Sequence, residues 1–327
     1  MSRFRRQPGQ RLLFPMRKSI LLTLFFVLNV NSTPLSEKEN ELLQESCGRR
    51  GPTKRSTNGL PIDEEKAPFV AAIGLGPQNI YCTAVWISDR HVLTAAHCVN
   101  FVYQSAEKSL YPYVINTRNV GEHEYQVLEA FKIEKVHYPM YYLPVLPSTF
   151  GDVAIAEVIQ SDPKPVSKPV CLPRNDVVFG GNVTMYGYGV NVADTKSGVG
   201  LGVMRSINST TVFCPVHGAF SICFNGFPYL ACHGDSGGPL VTTSDDSTIV
   251  VHGIMATINH LCKKELWNDV IGYMNTGTNV FHHVDWICHS TGVCPSKELS
   301  EFVKKFEASV KSKYKSFNVT DLPRYMV

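Results

Sequence analysis

The stretch Cys232-His233-Gly234-Asp235-Ser236-Gly237-Gly238-Pro239-Leu240 decides how the rest of the chain is read. A serine sits between glycines, beside an acid and close to a cysteine, and the chain runs on into Leu240-Val241. A serine hydroxyl is a poor nucleophile at neutral pH. To attack a carbonyl it needs a base for its proton and N–H groups for the oxyanion that forms. The surrounding glycines let the backbone turn tightly, so the N–H groups of Gly234 and Ser236 can converge on one spot. Taken alone, the same residues also read as a Gly-rich hairpin turn, so the decision falls to partners elsewhere.

The chain has 11 histidines, so a lone one carries little weight. His97 stands out in Val92-Leu93-Thr94-Ala95-Ala96-His97-Cys98: a β-type run ends in small residues, and Cys82 is placed to staple that loop to Cys98. An imidazole that takes a proton must be held in one tautomer, which a buried carboxylate does through the other ring nitrogen. Asp152, in Gly151-Asp152-Val153-Ala154-Ile155-Ala156, is an acid at the mouth of an apolar strand, where an unpaired charge is costly. The blander readings are a buried structural histidine and a strand-capping aspartate. Asp89 lies nearer His97 in sequence but reads as a solvated Ser-Asp-Arg turn.

With 327 residues, 44% hydrophobic and 18% charged, the chain can bury a sizeable core as one large all-β unit or two domains. Residues 1–32 read as a removable secretory leader: Arg3, Arg5, Arg6, Arg11, Arg17 and Lys18 precede the apolar run Ile20–Val30, which is short for a bilayer span. Met16 offers a second start for that leader. Taking its six basic residues from the 31 leaves 25 against 28 acidic ones, so the net +3 gives no reason to expect a nucleic-acid partner. Ten cysteines in a secreted-type chain imply disulfides, and no C-x-x-C pair suggests zinc. His282-His283 lacks a third ligand at metal spacing, so neither metal nor cofactor is expected. Sequons at Asn182, Asn208 and Asn318 are candidate glycan sites on surface loops, while Asn31 leaves with the leader.

Residues 33–55 are polar, contain Cys47 and end in Lys54-Arg55, reading as a flexible pro-segment with a basic cleavage point. Short β-type runs follow at Phe69–Leu75, Tyr81–Ile87, Val92–Thr94, Tyr125–Val136 and Val153–Ile159. A Pro-rich crossing spans 160–173. A second set covers Val183–Tyr188, Gly202–Ile207, Val212–Cys214, Ser221–Phe224, Leu240–Val241, Ile249–Ala256 and Asn279–Val284. Many short strands with Gly- and Pro-rich turns argue an all-β pair of barrels or sandwiches. In 289–327, Leu299, Phe302, Val303, Phe306, Val310 and Tyr314 recur at helical spacing, as in a tail helix packing one face on the body. A basic membrane- or partner-binding helix is the alternative.

The blocks Thr94-Ala95-Ala96-His97-Cys98, Asp152-Val153-Ala154 and Gly234-Asp235-Ser236-Gly237-Gly238-Pro239 resemble, in the same order, the signatures of the chymotrypsin/trypsin-like serine proteases over about residues 56–288. The resemblance implies two six-stranded antiparallel β-barrels with the site in the cleft between them, followed by the C-terminal helical extension. It also implies His97 as general base then acid, Asp152 as its orienter, Ser236 as nucleophile, and the N–H groups of Gly234 and Ser236 as oxyanion hole. The disulfides it suggests are Cys82–Cys98, Cys214–Cys223, Cys232–Cys262 and Cys47–Cys171, with Cys288–Cys294 left over.

The chain departs from the family's pattern at two places. After Arg55 the expected mature start is Ser56, not an apolar residue, and its freed amine would pair with Asp235. At the specificity pocket, Leu230 replaces the aspartate of trypsin-like members, with Ile258 and Asn279 as walls and His233 at the rim. Without a buried carboxylate there, a cationic side chain would be desolvated unpaired, so a small or medium apolar residue is expected in place of Arg or Lys. The reading is a secreted, extracellular serine endopeptidase made as a zymogen. Its partners would be protein or peptide substrates, an activating protease and inhibitors, with no stable membrane anchor. A non-catalytic homologue that binds a partner is the alternative. An α/β-hydrolase esterase is disfavoured, because its Ser…Asp…His order is absent.

Overall fold

The computed structural model describes residues 34–49, 61–62, 65–100, 111–122, 124–142, 151–159, 168–190, 201–214, 218–225, 231–257 and 274–319. The leader, Arg55, Ser56, Leu230, Ile258 and Cys262 lie outside the described residues.

The first barrel is built from β1 (Val70–Leu75), β2 (Ile80–Trp86), β3 (His91–Thr94), β4 (Pro112–Asn119), β5 (Tyr125–Pro139) and β6 (Ala154–Val158). These strands run antiparallel in the order β5-β4-β1-β2-β3-β6, and β5–β6 pairing closes the ring. Its strands are Val-, Ile- and Ala-rich, and they bury Trp86, Phe69, Ile73, Leu93, Ile115 and Ile155. The second barrel closes in the order β10-β11-β12-β9-β8-β7. Its members are β7 (Asn182–Gly187), β8 (Arg205–Val212), β9 (Ser221–Asn225), β10 (Pro239–Thr243), β11 (Ile249–Thr257) and β12 (Met274–Asn279). A smaller core of Val183, Met185, Ile222, Phe224, Leu240 and Met255 fills it. Two six-stranded barrels therefore stand as the resemblance implies.

The ends of the chain differ from expectation. The segment read as flexible contains a helix, α1 (Glu37–Ser46). Ser36 starts it with a capping box: its hydroxyl accepts from Glu39 N–H, and the Glu39 carboxylate accepts from Ser36 N–H at 2.6 Å. A short helix, α2 (Ala96–Asn100), carries His97. The C-terminal extension is helical through α3 (Val284–Thr291), α4 (Lys297–Lys305) and α5 (Glu307–Lys311), and then ends in a strand, β13 (Tyr314–Asn318). β13 adds antiparallel to the second half of β5, from Lys135 to Pro139, covering the edge that β4 leaves open. Helical spacing fails at Tyr314 because this pairing with β5 is non-local.

The segment that carries α1 is fastened to the chain beyond α3 and to Cys171. Asn40 donates to Cys294 O and accepts from Cys294 N–H, Leu35 N–H donates to Thr291 O, and Cys47 is bonded to Cys171. Disulfides also join Cys82–Cys98, Cys214–Cys223 and Cys288–Cys294. Cys232 is disulfide-bonded too. Asn182, Asn208 and Asn318 are exposed, but they stand on β7, β8 and β13 rather than on loops. Among the described residues, no helix is long and apolar enough to cross a membrane.

Candidate active site

Thr94, at the end of β3, and α2 place His97 at the edge of the first barrel, and the Cys82–Cys98 bond ties α2 back to β2. Asp152 precedes β6, the strand beside β3, so its carboxylate meets the imidazole: His97 Nδ1 lies 2.7 Å from Asp152 Oδ2. The other carboxylate oxygen accepts from His97 N–H at 2.9 Å, and Asp152 O accepts from the Thr278 hydroxyl of β12. Asp152 is 4% exposed. Desolvation pulls the His97 pKa down, but the charge and hydrogen bond of Asp152 outweigh it, so the imidazole stands above the ordinary histidine value.

Ser236 comes from the second barrel, on the turn that enters β10, and is held against the first barrel by Thr83 of β2. Thr83 N–H donates to Ser236 O at 2.8 Å. The Thr83 hydroxyl donates to Gly234 O at 2.7 Å and accepts from Tyr188 N–H at 3.0 Å. Sequence reasoning missed this residue, and nothing in its surroundings marks it. Gly237 follows with φ +83°, and a Cβ there would meet Thr83 O at 2.1 Å and Thr94 Oγ1 at 2.2 Å, so only glycine lets the two barrels close here. Cys98 Sγ sits 3.6 Å from both His97 Nε2 and Ser236 O, which brings the two loops to one place. Among the described residues, the Ser236 hydroxyl has no hydrogen-bond partner. The N–H groups of Asp235, Gly237 and Gly238 are all bonded, to Cys232 O, Met255 O and Asp235 O. Those of Gly234 and Ser236 make no bond among the described residues and remain free as donors.

The Asp235 carboxylate is buried. It accepts from Cys232 N–H at 2.7 Å and Gly189 N–H at 2.9 Å, packed where a Cβ on Gly187 or Gly189 would collide with it. Desolvation pushes its pKa up to about 6, against the two N–H bonds and the distant charge of Arg205. Asn279 is also buried. Its amide nitrogen donates to Asp176 and Ala219 O, and its oxygen accepts from Phe281 N–H, capping the turn that leads to α3. His233 is exposed.

Among the described residues, the one close group of three ligand-type side chains is Cys82, His97 and Cys98, and its sulfurs are joined in a disulfide. A separate groove of about 610 Å³ lies between α1 and the C-terminal helices, lined by Glu41, Gln44, Lys297, Ser300 and Lys304 among others, and none of His97, Asp152 and Ser236 borders it.

A braced imidazole from one barrel and a serine from the other is the arrangement that the family's architecture predicts, and the trypsin family model matches residues 56–287. The chain belongs to the trypsin family. Curated relatives include phenoloxidase-activating enzyme 1 of Spodoptera litura, 23% identical over 79% of this chain and 72% of that protein. A venom serine protease of Bombus ignitus is 30% identical over 57% of each chain. A venom serine protease of Polistes dominula is 27% identical over 63% of this chain and 76% of its own. This trypsin-family chain thus spans little more than half of the Bombus protein.

Proposed function

We propose that this protein is a secreted serine endopeptidase made as a zymogen. The observation that carries the reading is the 2.7 Å contact of His97 Nδ1 with a buried Asp152, together with a serine whose own N–H, like that of Gly234, makes no bond among the described residues. In the proposed cycle, His97 Nε2 takes the Ser236 proton as Oγ bonds to the substrate carbonyl carbon. The oxyanion is held by the N–H groups of Gly234 and Ser236. The same imidazole returns the proton to the leaving amine as the C–N bond breaks, and water then releases the acyl group with the roles repeated. No cofactor is required.

In this reading residues 1–32 are removed on export, 33–55 form the pro-segment, and the protease domain runs from 56 to 288. Cleavage after Arg55 would leave residues 33–55 attached through Cys47–Cys171, with the Ser56 amine paired to Asp235. The relative named as a phenoloxidase-activating enzyme favours a protein substrate. The open Ser236–His97 contact is what favours the second reading, a non-catalytic binding homologue. Hydrolysis of an unfolded protein by the Arg55-cleaved form, abolished by His97→Ala, supports the enzyme. A correctly cleaved, folded protein without hydrolysis supports the binder.

A further inference from the structure

β12 is an unusual strand. Apart from Met274 it reads Asn275-Thr276-Gly277-Thr278-Asn279, with no apolar residue, yet it lies in the closed second barrel. Three of its polar residues are accounted for. The Thr278 hydroxyl binds Asp152 O, Asn279 caps the following turn, and Thr276 Oγ1 lies 3.9 Å from Cys223 Sγ. Asn275 is not. It is 1% exposed, and among the described residues neither its carboxamide oxygen nor its nitrogen has a hydrogen-bond partner. Burying an amide without partners is costly, and such a group in a native fold asks for a reason.

Its position supplies one. Asn275 shares the inward face of β12 with Gly277, whose added Cβ would meet core Leu240. Directly across from Asn275 on β9 is Phe224, a member with Ala231 of the second barrel's core. Ala231 begins the segment that leads to Ser236. On the other side of β12, the β11 residue Met255 binds Gly237 N–H and Gly238 O. The amide therefore stands in the barrel interior, one strand removed from the Ser236 loop.

We infer that Asn275 is a specificity-determining residue of the proposed peptidase, selecting an uncharged side chain with both a donor and an acceptor, such as the carboxamide of Gln or Asn, next to the scissile bond. A site that leaves a donor and an acceptor waiting rejects a shape-matched apolar side chain by leaving both unpaired. This rests on the proposed function and replaces the apolar preference that Leu230 alone suggests.

The test is kcat/KM of the Arg55-cleaved protein on peptides differing only at the residue before the scissile bond: Gln, Asn, norleucine, Leu and Lys. The wild type is expected to favour Gln or Asn over norleucine or Leu by about 100-fold or more. Asn275→Leu, checked for folding by thermal unfolding, should lose that ratio and turn towards the apolar peptides. A wild type that cleaves the series without favouring the amides overturns the inference and leaves the peptidase reading intact, as does an unchanged ratio in Asn275→Leu. A cleaved, folded wild type that hydrolyses no peptide overturns both.

Discussion

Asp235 carries a penalty that pH should reveal. Its carboxylate is buried on two N–H donors, and burial lifts its pKa from 3.8 to about 6. In the uncleaved chain the folded state thus binds the proton more tightly than the unfolded state. The stability from this group is full below about pH 3.8 and is lost as pH rises through about 6. Over its full range that lift corresponds to roughly 3 kcal/mol. Asp235→Asn removes the titration and sets an amide N–H against Cys232 or Gly189 N–H, a pH-independent cost of about 1–3 kcal/mol. Urea unfolding of uncleaved wild type and Asp235→Asn at a series of pH values isolates the effect. Between about pH 4 and pH 7 the wild type should lose roughly 2 kcal/mol relative to the variant. After cleavage at Arg55 the new amine should lower the Asp235 pKa and reverse that slope. A wild-type-minus-variant difference that stays flat with pH in the uncleaved chain would mean that burial does not raise the Asp235 pKa.

Asp152→Asn should lower kcat/KM by about 10³–10⁴-fold, because the amide cannot hold the His97 Nδ1–H tautomer. With the charge gone only desolvation acts on His97, so the acid limb of the residual pH–kcat/KM profile should move to lower pH. Thr83→Val keeps the shape of the side chain but strands Gly234 O and Tyr188 N–H. It should cost about 1–3 kcal/mol in unfolding free energy and, in hydrogen exchange, speed exchange at residues 234–238 while distant strands stay protected.

The three blocks around His97, Asp152 and Ser236 were legible because each joins small residues to an apolar strand with a cysteine or an acid at a fixed place. Three disulfide pairings followed from the same resemblance, and Cys288–Cys294 was the pair left over. β4 was missed: its apolar core is only Tyr113-Val114-Ile115, diluted by Asn116-Thr117-Arg118-Asn119. β12 was placed too late, at 279–284, because Val280-Phe281 look like a strand while the true strand is polar. Its pattern is set by contact with Asp152 and by capping, not by core burial. α1 carried a local signal in Ser36…Glu39 that the charged composition hid. β13 carried none, since a strand that completes the edge of β5, 175 or so residues earlier, is specified by the partner. Thr83 is the plainest case: a buried threonine in an apolar strand becomes a latch only when the other barrel arrives.

If His97, braced by Asp152, activates Ser236, that hydroxyl should react selectively with an electrophile. The most direct measurement is phosphonylation of the Arg55-cleaved protein by a fluorophosphonate, read by mass at the peptide bearing residue 236. One adduct is expected, on Ser236, absent from Ser236→Ala and strongly slowed by His97→Ala. A folded, cleaved wild type that stays unmodified, or reacts equally well without His97, would contradict it.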